Sequence, residues 1–110
     1  MNNNYLDRIP VKSEKISWTT ENDIVTLKVE NTGIFNRLFQ LLLKKPKVSY
    51  IHLDSIGSFL WQIIDGEKNV FELGKDIEDK FGDSVNPLYD RLVVYFKTLD
   101  NCKFIYWKNK

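Results

Sequence analysis

The sequence has 110 residues but only one cysteine and one histidine, and both scarcities limit the chemistry that it can support. A single cysteine, Cys102, cannot form an internal disulfide or a site in which several cysteines bind a metal. A single histidine, His52, lacks a second histidine or a nearby cysteine as co-ligand, and it lacks an obvious nucleophile to activate. We therefore expect no metal, no cofactor and no catalysis, and we interpret the chain as a binding or scaffolding domain.

An excess of charge of one sign is also missing. Sixteen Lys and Arg residues against fifteen Asp and Glu residues leave a net charge of +1, which gives no bulk attraction to nucleic acid or to an anionic membrane. In the third helix described below, two basic residues are matched by two acidic ones, namely Arg91, Lys97, Asp90 and Asp100. The basic cluster at 44–47 is an exception, which we interpret as the solvated end of a helix. We expect neither nucleic acid nor a membrane as partner.

No run of about 20 apolar residues, the length that a membrane-spanning helix needs, occurs in the sequence. The polar residues that follow Met1 also lack the apolar core of a signal peptide. These absences predict a cytoplasmic protein. A chain of this length forms one small domain, for which we assign residues 1–15 to an N-terminal extension and residues 16–107 to the domain.

Residue patterns predict the elements of an α+β fold. β-branched and aromatic residues indicate two strands joined by a turn at Glu21 and Asn22, and alternation indicates a third strand; the three are Ile16–Thr20, Asp23–Glu30 and Val48–Leu53. Apolar residues at helical spacing predict a helix over Gly33–Lys45, which Pro46 ends. The tail Phe104–Trp107 is long enough to add a short strand.

Three further helices are predicted after the third strand. The first covers Ser55–Ile64 with Asp54 as its N-cap, and the second begins at Val70 behind a capping box and ends at Gly82. The third has Asn86 as its cap and Pro87 in its first position, and it runs to about Asp100. The elements predict a winged helix-turn-helix-like domain, in which a three-stranded antiparallel sheet precedes three helices and an extra helix separates strands two and three.

Two predicted elements favour a peptide-binding groove. The strand Val48–Leu53 is a candidate sheet edge, whose free N–H and C=O groups can accept another strand. The apolar arc of the third helix spans roughly 160°, which is wider than the ~100° that packing on a core requires. An edge strand beside an apolar helix can capture an extended peptide, whereas an edge covered by the protein's own tail is an equally good interpretation of these residues.

A longer motif resembles a known family. The stretch from His52 to Gly66, followed by Asn69-Val70-Phe71-Glu72-Leu73, resembles the PqqD family: a strand ending in leucine, a helix with a central aromatic residue, an Asp-Gly end, and a helix start of the polar-valine-x-glutamate-aliphatic type. The pair Phe81-Gly82 and an apolar third helix that ends near Leu99 continue the match. The resemblance covers about residues 24–105.

The resemblance implies the fold of a recognition element for precursors of ribosomally synthesised and modified peptides (RiPPs). Such domains are peptide chaperones that bind a precursor's leader segment and present it to a modifying enzyme, often a radical SAM protein. The leader pairs with the third strand and lies against the third helix. Carried over by position, the resemblance implies binding by Val48, Ser49, Tyr50, Ile51 and His52 on the strand, and by Tyr89, Arg91, Leu92, Val93 and Tyr95 on the helix.

Two features are additional to small PqqD proteins, namely the Gly33–Lys45 helix and the longer N-terminal tail. Either can occupy the groove, form a homodimer or dock a partner enzyme, and the sequence leaves these alternatives open. A different function also stays open, in which a winged-helix scaffold or regulator binds protein or DNA through its third helix or through the basic cluster at 44–47. The leader-binding chaperone is our first hypothesis.

Overall fold

The computed structural model describes residues 4–30 and 48–108, so the helix predicted at Gly33–Lys45 lies outside the described residues. The described part is an α+β structure whose elements follow in this order: α1 (Asn4–Asp7), β1 (Pro10–Lys12), β2 (Ser17–Glu21), β3 (Ile24–Glu30), β4 (Val48–His52), α2 (Ser55–Ile63), α3 (Val70–Phe81), a 3₁₀ helix (Gly82–Val85), α4 (Leu88–Asn101) and β5 (Ile105–Trp107).

Strands β2, β3 and β4 form an antiparallel sheet in that order, which confirms the predicted three-stranded sheet. Thr26 of β3 lies opposite Thr19 of β2 and His52 of β4. The turn between β2 and β3 consists of Asn22 and Asp23, whose φ angles are 54° and 65°. Asn and Asp tolerate this left-handed conformation, which a two-residue hairpin turn requires. The turn predicted at Glu21 and Asn22 was therefore wrong by one residue.

The hydrogen bonds of β3 alternate between its two neighbours. The Leu53 N–H donates to the Val25 carbonyl at 2.9 Å, one position beyond the end of β4. In an antiparallel ladder, successive residues of a strand direct their N–H and C=O groups to opposite sides. The odd-numbered residues of β3 therefore bond toward β4, and the even-numbered ones bond toward β2.

A serine of α2 extends this ladder and fixes the helix to the sheet. The Val25 N–H donates to the Ser58 hydroxyl oxygen at 2.8 Å, and the same hydroxyl donates to the Leu53 carbonyl at 3.1 Å. Ser58 is completely buried. Its hydroxyl thus satisfies two backbone groups where β3 and β4 separate, and it aligns α2 with the last residues of both strands.

The hydrophobic core lies between the sheet and the three longer helices. Val25 and Leu27 of β3 direct their side chains toward α2, and both are fully buried. The buried apolar residues form one cluster: Val25, Leu27, Leu60, Trp61, Ile64, Val70, Leu73, Ile77, Val85, Leu88, Leu92, Phe96, Leu99, Phe104 and Ile105. The sheet and the helices therefore pack on one continuous cluster of buried side chains.

Two of the three predicted helix N-caps are confirmed, those of α2 and α3. Asp54 caps α2 by accepting a hydrogen bond from the Gly57 N–H at 2.7 Å, and Asn69 and Glu72 form the capping box of α3. The predicted start of α4 was wrong, because the helix begins at Leu88 and has no side-chain cap. Asn86 instead ends the preceding 3₁₀ helix, and Pro87 has extended backbone angles that are not helical.

The N-terminal extension predicted for residues 1–15 contributes structure of its own. Strand β1 pairs antiparallel with β5, so that Pro10 lies opposite Trp107 in a second, two-stranded sheet. The Arg8 guanidinium lies 4.2 Å from the centroid of the Trp107 ring, and the Arg8 carbonyl accepts a hydrogen bond from the Val70 N–H at 3.0 Å. The extension therefore joins the C-terminal tail to the start of α3.

Replacing Ser58 by alanine tests the junction of β3, β4 and α2. We expect Ser58→Ala to lower the free energy of unfolding by about 1–3 kcal/mol, because it leaves the buried Val25 N–H and Leu53 carbonyl without this partner. Ser55→Ala is the matched control, since Ser55 is exposed one turn earlier in α2 and its loss costs less than about 0.5 kcal/mol. Urea unfolding measures both values. Equal unfolding midpoints for the two variants would show that the Ser58 hydroxyl contributes nothing.

Candidate peptide-binding site

Strand β4 forms one edge of the three-stranded sheet, and among the described residues it pairs only with β3. Because Leu53 bonds toward β3, Ile51 does so as well, and Tyr50 and His52 direct their backbone N–H and C=O groups away from the sheet. Backbone groups directed outward from an edge strand form a template on which a further strand can pair. The edge of β4 thus offers outward hydrogen-bonding positions at Tyr50 and His52, and at Val48 where the strand begins.

The side chains of β4 are largely accessible. Tyr50 is 63% exposed and Ile51 is 36% exposed, while Ser49 is half-buried. His52 is exposed, and its Nδ1 lies 2.7 Å from the Thr26 hydroxyl of the neighbouring strand. This hydrogen bond orients the imidazole ring across the sheet surface. With Val48 at the start of the strand, the five predicted strand residues occupy β4 as one continuous segment.

A tyrosine of α4 contacts the chain immediately after β4. The Tyr95 hydroxyl donates to the Asp54 carboxylate, with oxygen–oxygen distances of 2.9 and 2.8 Å. Asp54 is also the N-cap of α2, so one carboxylate joins the end of β4, the start of α2 and the side of α4. Gly57 permits this contact, because a Cβ atom there would lie 3.1 Å from Tyr95 Cε1. Tyr95 therefore fixes α4 beside the end of the edge strand.

A shallow depression on α4 adjoins this contact and is lined by Asp90, Arg91, Val94 and Tyr95. Val94 is 64% exposed, which makes it the most exposed of the large hydrophobic residues of the described part. Val94 was not among the residues predicted from the sequence, although it follows Arg91 by three residues and Asp90 by four, the spacing that places helical residues on one face. The depression combines an exposed apolar side chain with the charges of Arg91 and Asp90.

The other predicted residues of α4 lie deeper. Leu92 is 1% exposed and packs against Gly74 of α3, where an added Cβ atom would lie 2.9 Å from Leu92 Cδ1. Leu92 is thus a core residue, and its side chain has almost no surface with which to contact a peptide. Tyr89 is half-buried with its ring beside the same glycine, and Val93 is half-buried. Of the five predicted residues on α4, Arg91 and Tyr95 are the two that line the depression.

The surroundings of the tyrosines on α4 change their acidity. The pKa of Tyr95 is raised to about 12. Burial of the phenol is the largest cause, followed by its hydrogen bond to Asp54 and by the negative charge of that carboxylate. Burial likewise raises the pKa of Tyr89, and the charge of Glu78 adds to the effect. Both phenols are therefore neutral at physiological pH, and Tyr95 acts as a hydrogen-bond donor to Asp54.

Within residues 4–30 and 48–108, no three His, Cys, Asp or Glu side chains are grouped so that they could hold a metal ion. The helices of the same ranges are too short or too polar to cross a membrane.

The contact between Tyr95 and Asp54 predicts a dependence of stability on alkaline pH. The unfolded chain loses the Tyr95 proton near the ordinary pKa of 10.0, whereas the folded chain keeps it until about 12. The contribution of this contact is therefore complete below pH 10 and is lost as the pH rises toward 12. We expect wild type to be more stable than Tyr95→Phe at pH 8, and the gap to narrow by pH 11. Urea midpoints measure the gap, and a gap that stays constant or widens would contradict this assignment.

Comparison with known proteins assigns the family. The model of the family described as Coenzyme PQQ synthesis protein D (PqqD) matches residues 40–105, which is more than half of the chain and includes β4, α2, α3 and α4. The comparison with curated proteins and the comparison with solved structures gave no match. PqqD is a non-catalytic accessory family, and its members act in RiPP biosynthesis. The chain belongs to the PqqD family.

Proposed function

We propose that this protein is a peptide chaperone, which binds the leader segment of a ribosomally synthesised precursor along the outer edge of β4 and presents it to a modifying enzyme of the radical SAM class. The observation that carries the proposal is the pair of outward-directed backbone positions at Tyr50 and His52, on an edge strand that ends beside α4. Family membership supports the role of an accessory protein in RiPP biosynthesis. Ribosomal synthesis of the precursor places the encounter in the cytoplasm.

Backbone pairing gives the leader its register. A leader strand that pairs with Tyr50 and His52 can exchange two hydrogen bonds with each residue. At about 0.5–1.5 kcal/mol net for each bond, four bonds contribute roughly 2–6 kcal/mol. Micromolar affinity requires about 8 kcal/mol, before the cost of ordering the peptide is added. Backbone pairing alone is therefore too weak, and side-chain contacts must contribute the rest.

The depression on α4 is suited to supply those contacts. An apolar leader side chain that covers Val94 removes its exposed surface from water, which stabilises the complex by about 25 cal/mol for each Å² of apolar area. Arg91 is exposed and has no ion-pair partner among the residues that the structure describes, so it can donate to a leader carbonyl or carboxylate. The edge of β4 thus sets the register, and the face of α4 selects the sequence.

A proline substitution separates backbone pairing from the rest of the site. Tyr50→Pro removes an N–H that points away from β3, and it leaves the bonds between β3 and β4 in place, since an edge strand tolerates proline where the N–H faces outward. We expect the affinity for the leader to fall at least about tenfold, which corresponds to 1.4 kcal/mol. The probe is a dye-labelled synthetic leader peptide, whose sequence is to be sought in a short precursor gene near the gene for this chain, and fluorescence anisotropy gives its dissociation constant.

Tyr50→Ala is the matched control, because it removes the side chain and keeps the amide. It should bind the leader more tightly than Tyr50→Pro, and both variants should unfold at nearly the temperature of wild type. If Tyr50→Pro is folded and binds the leader as tightly as Tyr50→Ala, the leader does not pair with β4 and the proposed mode of binding is wrong.

A further inference from the structure

Strand β2 forms the other edge of the three-stranded sheet. All five of its residues, Ser17–Glu21, are exposed, and in the described part of the chain β2 pairs only with β3. Natural edge strands are commonly protected by lysine or proline within the strand, and β2 contains neither. As far as the described residues extend, the outer edge of β2 is therefore accessible to another strand.

The same alternation that orients β4 also orients β2. The even-numbered residues of β3 bond toward β2, where their partners are Ser17, Thr19 and Glu21. The residues between them, Trp18 and Thr20, consequently direct their N–H and C=O groups outward. The two outward positions lie symmetrically about Thr19, at the centre of the strand.

This symmetry makes β2 complementary to itself. In an antiparallel pair of two β2 strands with Thr19 on the two-fold axis, Trp18 lies opposite Thr20 of the second copy, and the two strands exchange four backbone hydrogen bonds. Ser17 lies opposite Glu21 of the second copy, so that a hydroxyl donor faces a carboxylate. Registers centred on Trp18 or on Thr20 pair only three residues of each strand, whereas this register pairs all five.

The charges that flank the strand fit an antiparallel pair. Lys15 precedes β2 and Asp23 follows it, so the Lys15 end of one copy lies near the Asp23 end of the other. Both residues are exposed, and within residues 4–30 and 48–108 neither has an ion-pair partner. From this complementarity we propose that two copies of the chain associate through an antiparallel pair of β2 strands, with Thr19 on the two-fold axis.

The pairing extends the proposed function without depending on it. Joining two sheets through β2 produces one six-stranded sheet, in which the two β4 strands form the outer edges. The dimer would therefore hold two leader peptides at opposite margins. Stable interfaces bury about 1,200–2,000 Å², and a five-residue strand pair is smaller, so we expect association that depends on protein concentration.

Charge substitutions at Thr19 test the axis directly. Thr19→Glu brings two carboxylates face to face, next to the two Glu21 side chains, and we expect about tenfold weaker association. Thr19→Lys should also associate less than wild type, while an equimolar mixture of the two variants should associate more strongly than either alone. Thr19→Val is the neutral control and should associate like wild type. Sedimentation velocity over a range of protein concentrations, with no peptide added, measures all four.

Three results would overturn the inference: wild type that stays monomeric at the highest concentration, Thr19→Glu that associates like wild type, or a mixture that gains nothing over the separate variants. Thr20→Pro, which removes an outward N–H, should also abolish association while the monomer stays folded by circular dichroism. If Tyr50→Pro loses association and Thr20→Pro keeps it, the two copies associate through β4 and not through β2. At low protein concentration, Thr19→Glu should bind the leader with the affinity of wild type. A failure of the dimer proposal can therefore be distinguished from a failure of the proposed function.

Discussion

The side to which each residue of β3 directs its hydrogen bonds determines what both edges of the sheet present. The hydrogen bonds of Val25 fix this direction, because its carbonyl accepts from the Leu53 N–H and its N–H donates to the buried Ser58 hydroxyl. Since an antiparallel ladder alternates, this one junction places the backbone groups of Tyr50 and His52 on the outer side of β4, and those of Trp18 and Thr20 on the outer side of β2. A shift by one residue would exchange the bonded and the free positions on every strand.

The two edges have different chemistry, and this difference supports different partners. β4 ends at Asp54, which the Tyr95 hydroxyl joins to α4, so a strand added there lies near a helix with the exposed side chain of Val94. β2 contacts a helix through Trp18, whose ring packs edge-on against Trp61 of α2 with 6.4 Å between the ring centroids, and the residues of the strand are complementary to their own two-fold copy. One edge is therefore suited to an extended peptide with side chains to recognise, and the other to a second copy of the chain.

The features that could be predicted from the sequence are those that depend on residues close together along the chain. The Asp54 cap and the capping box of Asn69 and Glu72 need only residues within one helical turn, and both were predicted correctly. The burial of Leu92, the exposure of Val94 and the pairing of β1 with β5 depend on which surfaces meet in three dimensions. A helical wheel gives the width of an apolar arc but not the neighbour that covers each flank. The bridging role of Ser58 likewise has no sequence signal, because its partners lie five and 33 residues away.

Hydrogen exchange of the individual β4 amides tests the central claim most directly. In the free monomer, the outward amides of Tyr50 and His52 should exchange rapidly, whereas the Ile51 amide, which bonds toward β3, should be protected. Saturation with the leader peptide should slow exchange at Tyr50 and His52 and change Ile51 little. Protection that appears on α4 alone, or no change at Tyr50 and His52 under saturating leader, would contradict capture by strand addition.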